Sequence, residues 1–236
     1  MSSPPVRVTE SGRETRGTDG KPESTRLRIS EIFYSLQGES RTVGFPTVFV
    51  RLTGCPLRCG YCDTAYAFQG GDWMEIGDIL TRVAEHRTRY VTVTGGEPLA
   101  QRPCIPLLTA LCDAGYEVSL ETSGALDIAP VDERVSVVMD MKTPGSGEVE
   151  KNLLGNIRHL DSNDQVKFVI CDRADYEWSR AQLRAHTLND KCEVLFSPSH
   201  GSLNPTDLAG WILEDHLPVR LQLQLHKLLW GESRGR

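Results

Sequence analysis

The stretch YVTVTGGEPLAQRPCIPLLTALCDAGYEVSLETSG runs from Tyr90 to Gly124 and sets the architecture expected for the whole chain. It opens and closes on short runs rich in β-branched residues, which predict two strands. The segment between them has helical periodicity, with Pro103 near its start and Gly115 just past its end. A strand, a helix and a strand in succession predict two parallel strands joined by a crossover helix.

The same alternation continues on both sides of this stretch. Strand-like runs cover residues 26–35, 47–54, 90–96, 117–124, 135–145, 165–172, 193–201 and 219–227, and helical periodicity covers residues 76–87, 103–116, 175–187 and 205–216. Eight strands with fewer full-length helices predict an α/β fold, a partial or modified (β/α) barrel. The loops TGGEP, ETSG, DMKTPG and SPSHG follow predicted strands. Because the carboxyl ends of parallel strands converge, we expect a ligand site there.

Composition and charge exclude several classes of protein. A net charge of −6 argues against a protein that holds a nucleic-acid backbone by charge alone. No apolar run is long enough for a membrane span, so we expect no membrane contact. The N-terminal segment is rich in Ser, Thr, Gly, Pro and charge, and it lacks the apolar region of a secretory signal. We therefore expect a cytoplasmic protein with a disordered extension at residues 1–26 and one domain at residues 27–236.

A second stretch, GCPLRCGYCDT at residues 54–64, contains three closely spaced cysteines, Cys55, Cys59 and Cys62. A structural zinc site usually needs four ligands, and no second closely spaced pair follows, although His86 or a distant cysteine remains available. A thioredoxin-like pair at Cys59 and Cys62 leaves Cys55 without a role. Three thiolates can instead hold three irons of a 4Fe–4S cluster and leave the fourth iron open to a second molecule.

The spacing Cys55-x3-Cys59-x2-Cys62, with Tyr61 before the last cysteine, resembles the signature of the radical S-adenosylmethionine superfamily. The GGEP segment at residues 95–98 follows a predicted strand and strengthens the resemblance. The resemblance implies a partial (β/α) barrel of the radical SAM type. It also implies a 4Fe–4S cluster on the three cysteines, with S-adenosylmethionine bound at the open iron.

Further segments resemble the 7-carboxy-7-deazaguanine synthase family of that superfamily: EIFYSLQGES, PTVFVRLTGCPLRCGYCDTAYAF, VTGGEPL, ETSG, DMKTPGSGE and QLHKLLWG. The resemblance covers residues 27–231 and implies conversion of 6-carboxy-5,6,7,8-tetrahydropterin to 7-carboxy-7-deazaguanine with loss of ammonia, in queuosine biosynthesis. It also implies Mg²⁺, an external one-electron donor such as flavodoxin, and a homodimer. The alternative is a glycyl-radical activating enzyme that acts on a protein partner. Such enzymes share the cysteine motif, but we do not expect them to contain SLQGE or the terminal QLHK.

The resemblance also assigns roles to single residues. Glu39 is expected to accept N–H groups of the pterin, and the planar fork of Arg51 to bind the substrate carboxylate; a structural pair with an Asp is the alternative for Arg51. These two are the candidate catalytic residues. The expected substrate-binding set is Leu36, Gln37, Gly38, Glu39, Arg51, Thr94, Gln224 and His226. The expected cofactor-binding set is Tyr61, Gly96, Glu97, Ser123, Asp140, Lys142, Ser197 and His200.

For four residues, either the expected role has a specific physical reason or a second interpretation stays open. Gly96 lets the backbone approach the amino group of S-adenosylmethionine closely. Glu97 either contacts that amino group or caps the following helix. Thr64 is the expected Mg²⁺ ligand, with a helix-capping role as its alternative. Lys167 faces either the barrel interior or solvent, and no role is assigned to it.

The run VRLQLQLHK at residues 219–227 predicts the last strand. Its apolar and polar residues alternate, so Leu221, Leu223 and Leu225 fall on one face and Arg220, Gln222, Gln224 and His226 on the other. The polar face meets either solvent or a polar cavity, and the resemblance favours the cavity for Gln224 and His226. The chain continues as LLWGESRGR, and we do not expect the carboxylate of Arg236 to reach the substrate.

Overall fold

The computed structural model describes residues 25–231 and 233–235. Its strands are β1 (Arg26–Leu36), β2 (Pro46–Leu52), β3 (Asp72–Glu75), β4 (Tyr90–Gly95), β5 (Glu117–Thr122), β6 (Ser136–Asp140), β7 (Gln165–Ile170), β8 (Glu193–Pro198) and β9 (Arg220–Leu221). Its α-helices are α1 (Ile76–Ala84), α2 (Cys104–Asp113), α3 (Arg173–Ala185), α4 (Pro205–Glu214) and α5 (Leu225–Trp230). None of the helices in these ranges is long and apolar enough to cross a membrane.

The strands form a single sheet in the order β3-β1-β2-β4-β5-β6-β7-β8-β9. From β2 onward every neighbouring pair is parallel, whereas β1 runs antiparallel to both β2 and β3. Helices α1 to α4 supply crossovers, but no helix joins β5 to β6, and only short 3₁₀ turns lie between β6 and β7. The fold is therefore a modified partial (β/α) barrel, as the alternation of strands and helices predicts.

Two apolar clusters lie between the sheet and its helices. One packs β1, β2, β4 and β5 against α1 and α2, and the other packs β6 to β8 against α3 and α4. Val91 and Val93 of β4 belong to the first cluster. Successive side chains of a strand point to opposite faces, so the residues between these apolar positions face the inside of the barrel. The inner face of the parallel strands thus carries Arg51, Thr94, Glu121, Asp140 and Ser197 near the carboxyl ends, and Lys167 in the middle of β7.

The prediction of a last strand at residues 219–227 is wrong over most of that range. Only Arg220–Leu221 pairs with β8, and α5 begins at Leu225. The backbone N–H of Leu225 donates to the carbonyl of Gly38 at 3.0 Å, and the Gln222 amide donates to the same carbonyl at 3.5 Å. The segment therefore leaves the sheet because it pairs with the chain that follows β1.

The structure also changes two boundaries at the N-terminal side. Strand β3 was not predicted, and it adds an edge to the sheet beyond β1. The expected extension at residues 1–26 lies outside the described residues except for its last two positions. Of these, Arg26 belongs to β1, and the Thr25 hydroxyl donates to Glu75 Oε2 at 2.7 Å.

Candidate active site

A cavity of about 630 Å³ lies at the carboxyl ends of the parallel strands. This volume is ordinary for a small-molecule site. Every residue predicted for the substrate, the cofactor, the cluster and Mg²⁺ lines this cavity, except Glu97. The fold therefore brings predicted site residues from distant segments of the chain together around one cavity.

The three cysteines lie on a loop without helix or strand between β2 and the 3₁₀ turn Ala65–Phe68. The backbone N–H of Leu57 already points at Cys55 Sγ, 3.4 Å away, and burial raises the pKa of the Cys55 and Cys59 thiols. Within the described residues, no three His, Cys, Asp or Glu side chains converge on one ion position. Three thiolates on one short loop can bind three irons of a 4Fe–4S cluster.

Gly96 brings the loop after β4 against the cysteine loop. A Cβ atom on Gly96 would lie 2.3 Å from the carbonyl oxygen of Gly54 and 2.7 Å from Cys55 Cβ. The glycine is therefore needed for close contact with the protein itself, and its expected approach to S-adenosylmethionine stays a prediction. Its backbone still lines the cavity beside the cysteines.

Glu97 is fully buried outside the cavity lining. Its carboxylate accepts the backbone N–H of Leu99 at 3.0 Å, and so caps the 3₁₀ turn Pro98–Ala100. It also accepts the hydroxyl of Thr122 at 2.9 Å and the backbone N–H of Ser123 at 2.7 Å. Of its two expected roles, the structure shows capping, and protein donors reach both carboxylate oxygens. Contact with the cofactor stays a prediction.

The cavity wall at the end of β6 contains buried polar atoms that a ligand could bind. Lys142 Nζ lies 2.8 Å from Asp140 Oδ2, and both side chains are largely buried. Burial lowers the pKa of Lys142, but the charges of Asp140 and Cys59 and the hydrogen bond to Asp140 together hold that pKa above its usual value. Asp140 Oδ1 and the Tyr61 hydroxyl are buried in the described structure without a hydrogen-bond partner. A polar molecule with both donors and acceptors fits this part of the cavity.

The remaining cofactor candidates lie at the ends of β5 and β8. The Ser123 hydroxyl donates to Glu97 at 2.5 Å, so the Ser123 position depends on the GGEP loop. Ser197 is buried at the end of β8, while His200 is exposed at the cavity rim.

Glu39 and Lys167 form a buried ion pair in the cavity wall next to Asp140. Lys167 Nζ lies 2.8 Å from Glu39 Oε2, and the Gln224 amide donates to Glu39 Oε1 at 3.1 Å. Burial raises the pKa of Glu39, but the charge and hydrogen bond of Lys167, together with the nearby His226 and Gln224, hold the pKa below its usual value. Sequence reasoning left Lys167 without a role. The usable signal was its place in QVKFVI, where a charge lies on the strand face opposite to Val166 and Phe168.

Arg51 is anchored by a carboxylate, although the partner is Glu31 and not an Asp. Its Nε donates to Glu31 Oε1 at 2.7 Å, and the Tyr66 hydroxyl donates to the same oxygen at 2.7 Å. The described structure gives the two terminal nitrogens of Arg51 no hydrogen bond, and the side chain lines the cavity. The contact with Glu31 therefore orients the guanidinium while its outer edge faces the cavity.

Glu121 is a cavity residue that sequence reasoning missed. It accepts hydrogen bonds from the Thr94 hydroxyl at 3.0 Å and from the Gln37 amide at 3.4 Å. Burial raises the pKa of Glu121, although the charge of Lys167 opposes the shift. The ETSG motif contains this residue, but the motif alone does not show which of its side chains faces inward.

Thr64 also lines the cavity and makes no side-chain cap to the turn that follows it. Its hydroxyl donates to Asp63 Oδ1 at 2.8 Å. Burial raises the pKa of Asp63, but the Thr64 hydrogen bond and the charge of Lys227 hold it below the usual value. A hydroxyl beside an ionised carboxylate provides the hard oxygen atoms that Mg²⁺ prefers.

The C-terminal segment completes the rim. A Cβ atom on Gly38 would lie 2.4 Å from His226 Nδ1, so the segment after β1 and α5 touch too closely for a side chain at this position. The Arg234 guanidinium lies 4.3 Å from the centre of the Tyr66 ring. Arg236, whose carboxylate is not expected to reach the substrate, lies outside the described residues.

Comparisons with known proteins agree with this geometry. The family model of the radical SAM superfamily matches residues 49–144, and that superfamily implies a 4Fe–4S cluster and S-adenosylmethionine. A solved structure of QueE from Escherichia coli superposes with a TM-score of 0.71 at 23% identity, covering 86% of this chain and 96% of that one. At this level of identity, the structural likeness supports the fold.

Two curated relatives carry the name 7-carboxy-7-deazaguanine synthase. The one from Chlorobaculum tepidum is 47% identical over 89% of this chain and 97% of its own length. The one from Koribacter versatilis is 44% identical over 89% of this chain and 100% of its own length. These matches do not favour the glycyl-radical activating alternative. The chain belongs to the 7-carboxy-7-deazaguanine synthase family of radical S-adenosylmethionine enzymes.

Proposed function

We propose that this chain converts 6-carboxy-5,6,7,8-tetrahydropterin to 7-carboxy-7-deazaguanine with loss of ammonia. The observation that carries the proposal is the position of two polar walls in one cavity beside the three-cysteine loop. One wall holds Asp140 and Lys142, and the other holds Arg51 and the Glu39–Lys167 pair. A cofactor and a small anionic heterocycle can therefore lie side by side.

The cluster would be held by Cys55, Cys59 and Cys62. With S-adenosylmethionine bound, the cluster would supply radical chemistry at a C–H bond of the pterin. The partnerless Asp140 Oδ1 and Tyr61 hydroxyl support a cofactor position against β6, with Gly96, Ser123, Lys142, Ser197 and His200 around it. The protein's task is to hold one C–H bond in reach and exclude water.

The substrate residues would act mainly by orientation. Arg51 presents two donors to the substrate carboxylate, and Glu39 accepts ring N–H groups while Lys167 keeps it ionised. Leu36, Gln37, Gly38, Thr94, Gln224 and His226 complete the wall around the ring. Because Arg51 lies on β2 and Glu39 on the segment after β1, they would fix the ring at two points.

Magnesium is part of the proposal, with Thr64 as its protein ligand. Substrate oxygens and water would fill the remaining positions, since the Thr64 hydroxyl is a single ligand. We expect Thr64→Ala to abolish stimulation of turnover by Mg²⁺, and Thr64→Ser, which keeps the hydroxyl, to preserve it. Stimulation that persists in Thr64→Ala would assign the ion to another ligand.

Three further proposals rest on the family. They are that residues 27–236 form one radical SAM domain, that an external donor such as flavodoxin supplies the electron, and that two copies form a homodimer. The domain proposal is supported by one continuous sheet across the described residues.

The decisive experiment is a turnover assay. Anaerobically reconstituted, reduced protein is incubated with 6-carboxytetrahydropterin and S-adenosylmethionine, with and without Mg²⁺, and 7-carboxy-7-deazaguanine is measured. The expected result is deazaguanine formation without net consumption of S-adenosylmethionine. Cleavage of S-adenosylmethionine without this product would contradict the proposed substrate.

A further inference from the structure

The cysteine loop is held from outside the cavity by the segment that follows β6. The backbone N–H of Arg58 donates to Glu148 Oε1 at 2.6 Å. The backbone N–H of Gly60 donates to the carbonyl of Ser146 at 3.0 Å. Both contacts fall between the cluster cysteines, so they restrain the loop at its centre.

We call residues 143–148 the cradle, and the cradle is itself fixed to α3. The Asp175 carboxylate, almost completely buried, accepts the Thr143 hydroxyl at 3.0 Å and the backbone N–H of Gly145 at 2.8 Å. The Ser146 hydroxyl donates to the carbonyl of Thr143 at 2.6 Å and accepts the backbone N–H of Glu148 at 3.0 Å. Glu148 therefore extends from a rigid support.

Close packing supports the same view of the cradle. A Cβ atom on Gly145 would lie 2.4 Å from Asp175 Oδ2 and 3.1 Å from Cys171 Cβ. The segment thus lies against α3 at a distance that only glycine permits. Its shape is set by the protein core before any cofactor is bound.

The cysteine loop has little regular structure of its own. It contains no helix or strand. The Arg58 side chain donates hydrogen bonds to carbonyls of the same loop, to Cys55 at 2.8 Å and to Leu57 at 2.6 Å. Three thiolates must meet three irons in a fixed geometry, and ordering each loop residue is entropically unfavourable. A support that orders the loop in advance removes this cost from cluster binding.

We propose that Glu148 is a positioning residue for the cluster: its carboxylate holds the Arg58 amide and keeps the cysteine loop in the geometry that the 4Fe–4S cluster requires. Glu148 acts through the loop backbone and does not ligate iron. The proposal rests on membership of the radical SAM superfamily and is independent of the pterin substrate.

The test compares Glu148→Ala, Glu148→Gln and Glu150→Ala. Glu150 is exposed on the short 3₁₀ turn Val149–Lys151, which begins directly after Glu148, and it provides the matched control. In the metal-free proteins, amide deuterium exchange is measured over residues 55–62. In the reconstituted proteins, loss of the broad visible absorption of the cluster is followed after addition of an iron chelator.

In Glu148→Ala, we expect exchange over residues 55–62 and loss of the cluster to become about tenfold faster, as for a lost charge-assisted hydrogen bond. Glu148→Gln keeps an acceptor and should recover part of the difference, and Glu150→Ala should match the wild type. Equal rates in Glu148→Ala and Glu150→Ala would overturn the proposal. Faster exchange throughout the chain would also overturn it, since Glu148 would then be a general stabilising residue.

Discussion

Lys167 and Glu39 come from segments 128 residues apart and meet in the cavity wall at 2.8 Å. Asp140 Oδ2 also lies 3.9 Å from Lys167, and Glu121 adds a further negative charge nearby. Burial lowers the pKa of Lys167, but these three carboxylates outweigh it and raise that pKa above its usual value. One lysine therefore balances the charge of both the proposed substrate wall and the proposed cofactor wall.

Lys167→Met removes this balance. At pH 7 we expect the free energy of unfolding to fall by about 3–5 kcal/mol, since a buried carboxylate loses its partner. The pKa of Glu39 is held below its usual value, so the stability from the pair is present above the ordinary Glu pKa of about 4.3 and is lost as the pH falls through the folded value. The difference between variant and wild type should therefore persist down to about pH 4.3 and shrink only toward about pH 3. Urea unfolding at pH 7 and at about pH 3 measures it, and an equal difference at both would exclude the ion pair as its source.

Arg51→Ala tests the residue assigned to the substrate carboxylate. We expect the KM for the pterin to rise about 10- to 100-fold, because charge-assisted hydrogen bonds are lost, while the cluster absorption stays unchanged. Arg82→Ala, at an exposed position of α1, is the control. Steady-state kinetics of both variants measure the KM for the pterin. An unchanged KM would leave Arg51 with a structural role only, as the partner of Glu31.

Single strands and loops differ in how well the sequence predicts them. The β4–α2–β5 unit was predicted because period-two and period-3.6 patterns are local, and its glycine-bearing loops do lie at the cavity. The last strand was mispredicted because this segment forms a hydrogen bond with the Gly38 carbonyl, which lies almost two hundred residues earlier in the chain. Sequence alternation cannot show such a partner.

Gly96 joins two elements at a distance that excludes a side chain. Gly96→Ala would force the GGEP loop and the cysteine loop apart, since the nearest atoms belong to the backbone. We expect a lower melting temperature and less iron bound per chain after reconstitution. Gly77→Ala in α1 is the control, because its Cβ meets no atom within 4 Å and alanine is the better helix former. Normal iron content in Gly96→Ala would show that the two loops adjust independently of each other.

At the scale of the molecule, the sheet does not close on itself, and the segment after β1 spans the gap. The backbone N–H of Arg41 donates to Gln165 at the start of β7 at 2.8 Å. Arg220 on β9 donates to the carbonyl of Ser40 at 2.6 Å. Ser40 has a positive φ of 65°, which is unfavourable for a residue with a side chain. Contacts from the far edge of the sheet therefore hold the segment that carries Glu39.

Sequence reasoning predicted half of the residues that line the cavity, but it did not predict this closure. The residues named by motifs were found because each motif lies within one strand end or loop. The contacts of Arg41 and Arg220 depend on how far the sheet curves, which no local pattern specifies. For the same reason, the pairing of Glu39 with Lys167 could not be foreseen from either segment alone.

Arg220→Ala tests whether closure of the barrel positions the substrate wall. The variant loses the hydrogen bond to Ser40 and the ion pair with Glu193, in which Nη1 lies 3.3 Å from Oε1. We expect the free energy of unfolding to fall by about 1–2 kcal/mol and the KM for the pterin to rise, because Glu39 is the neighbour of Ser40. Urea unfolding and steady-state kinetics measure the two effects, with Arg82→Ala as the control. A loss of stability with an unchanged KM would show that Lys167 and Gln224 hold Glu39 in place without help from the closure.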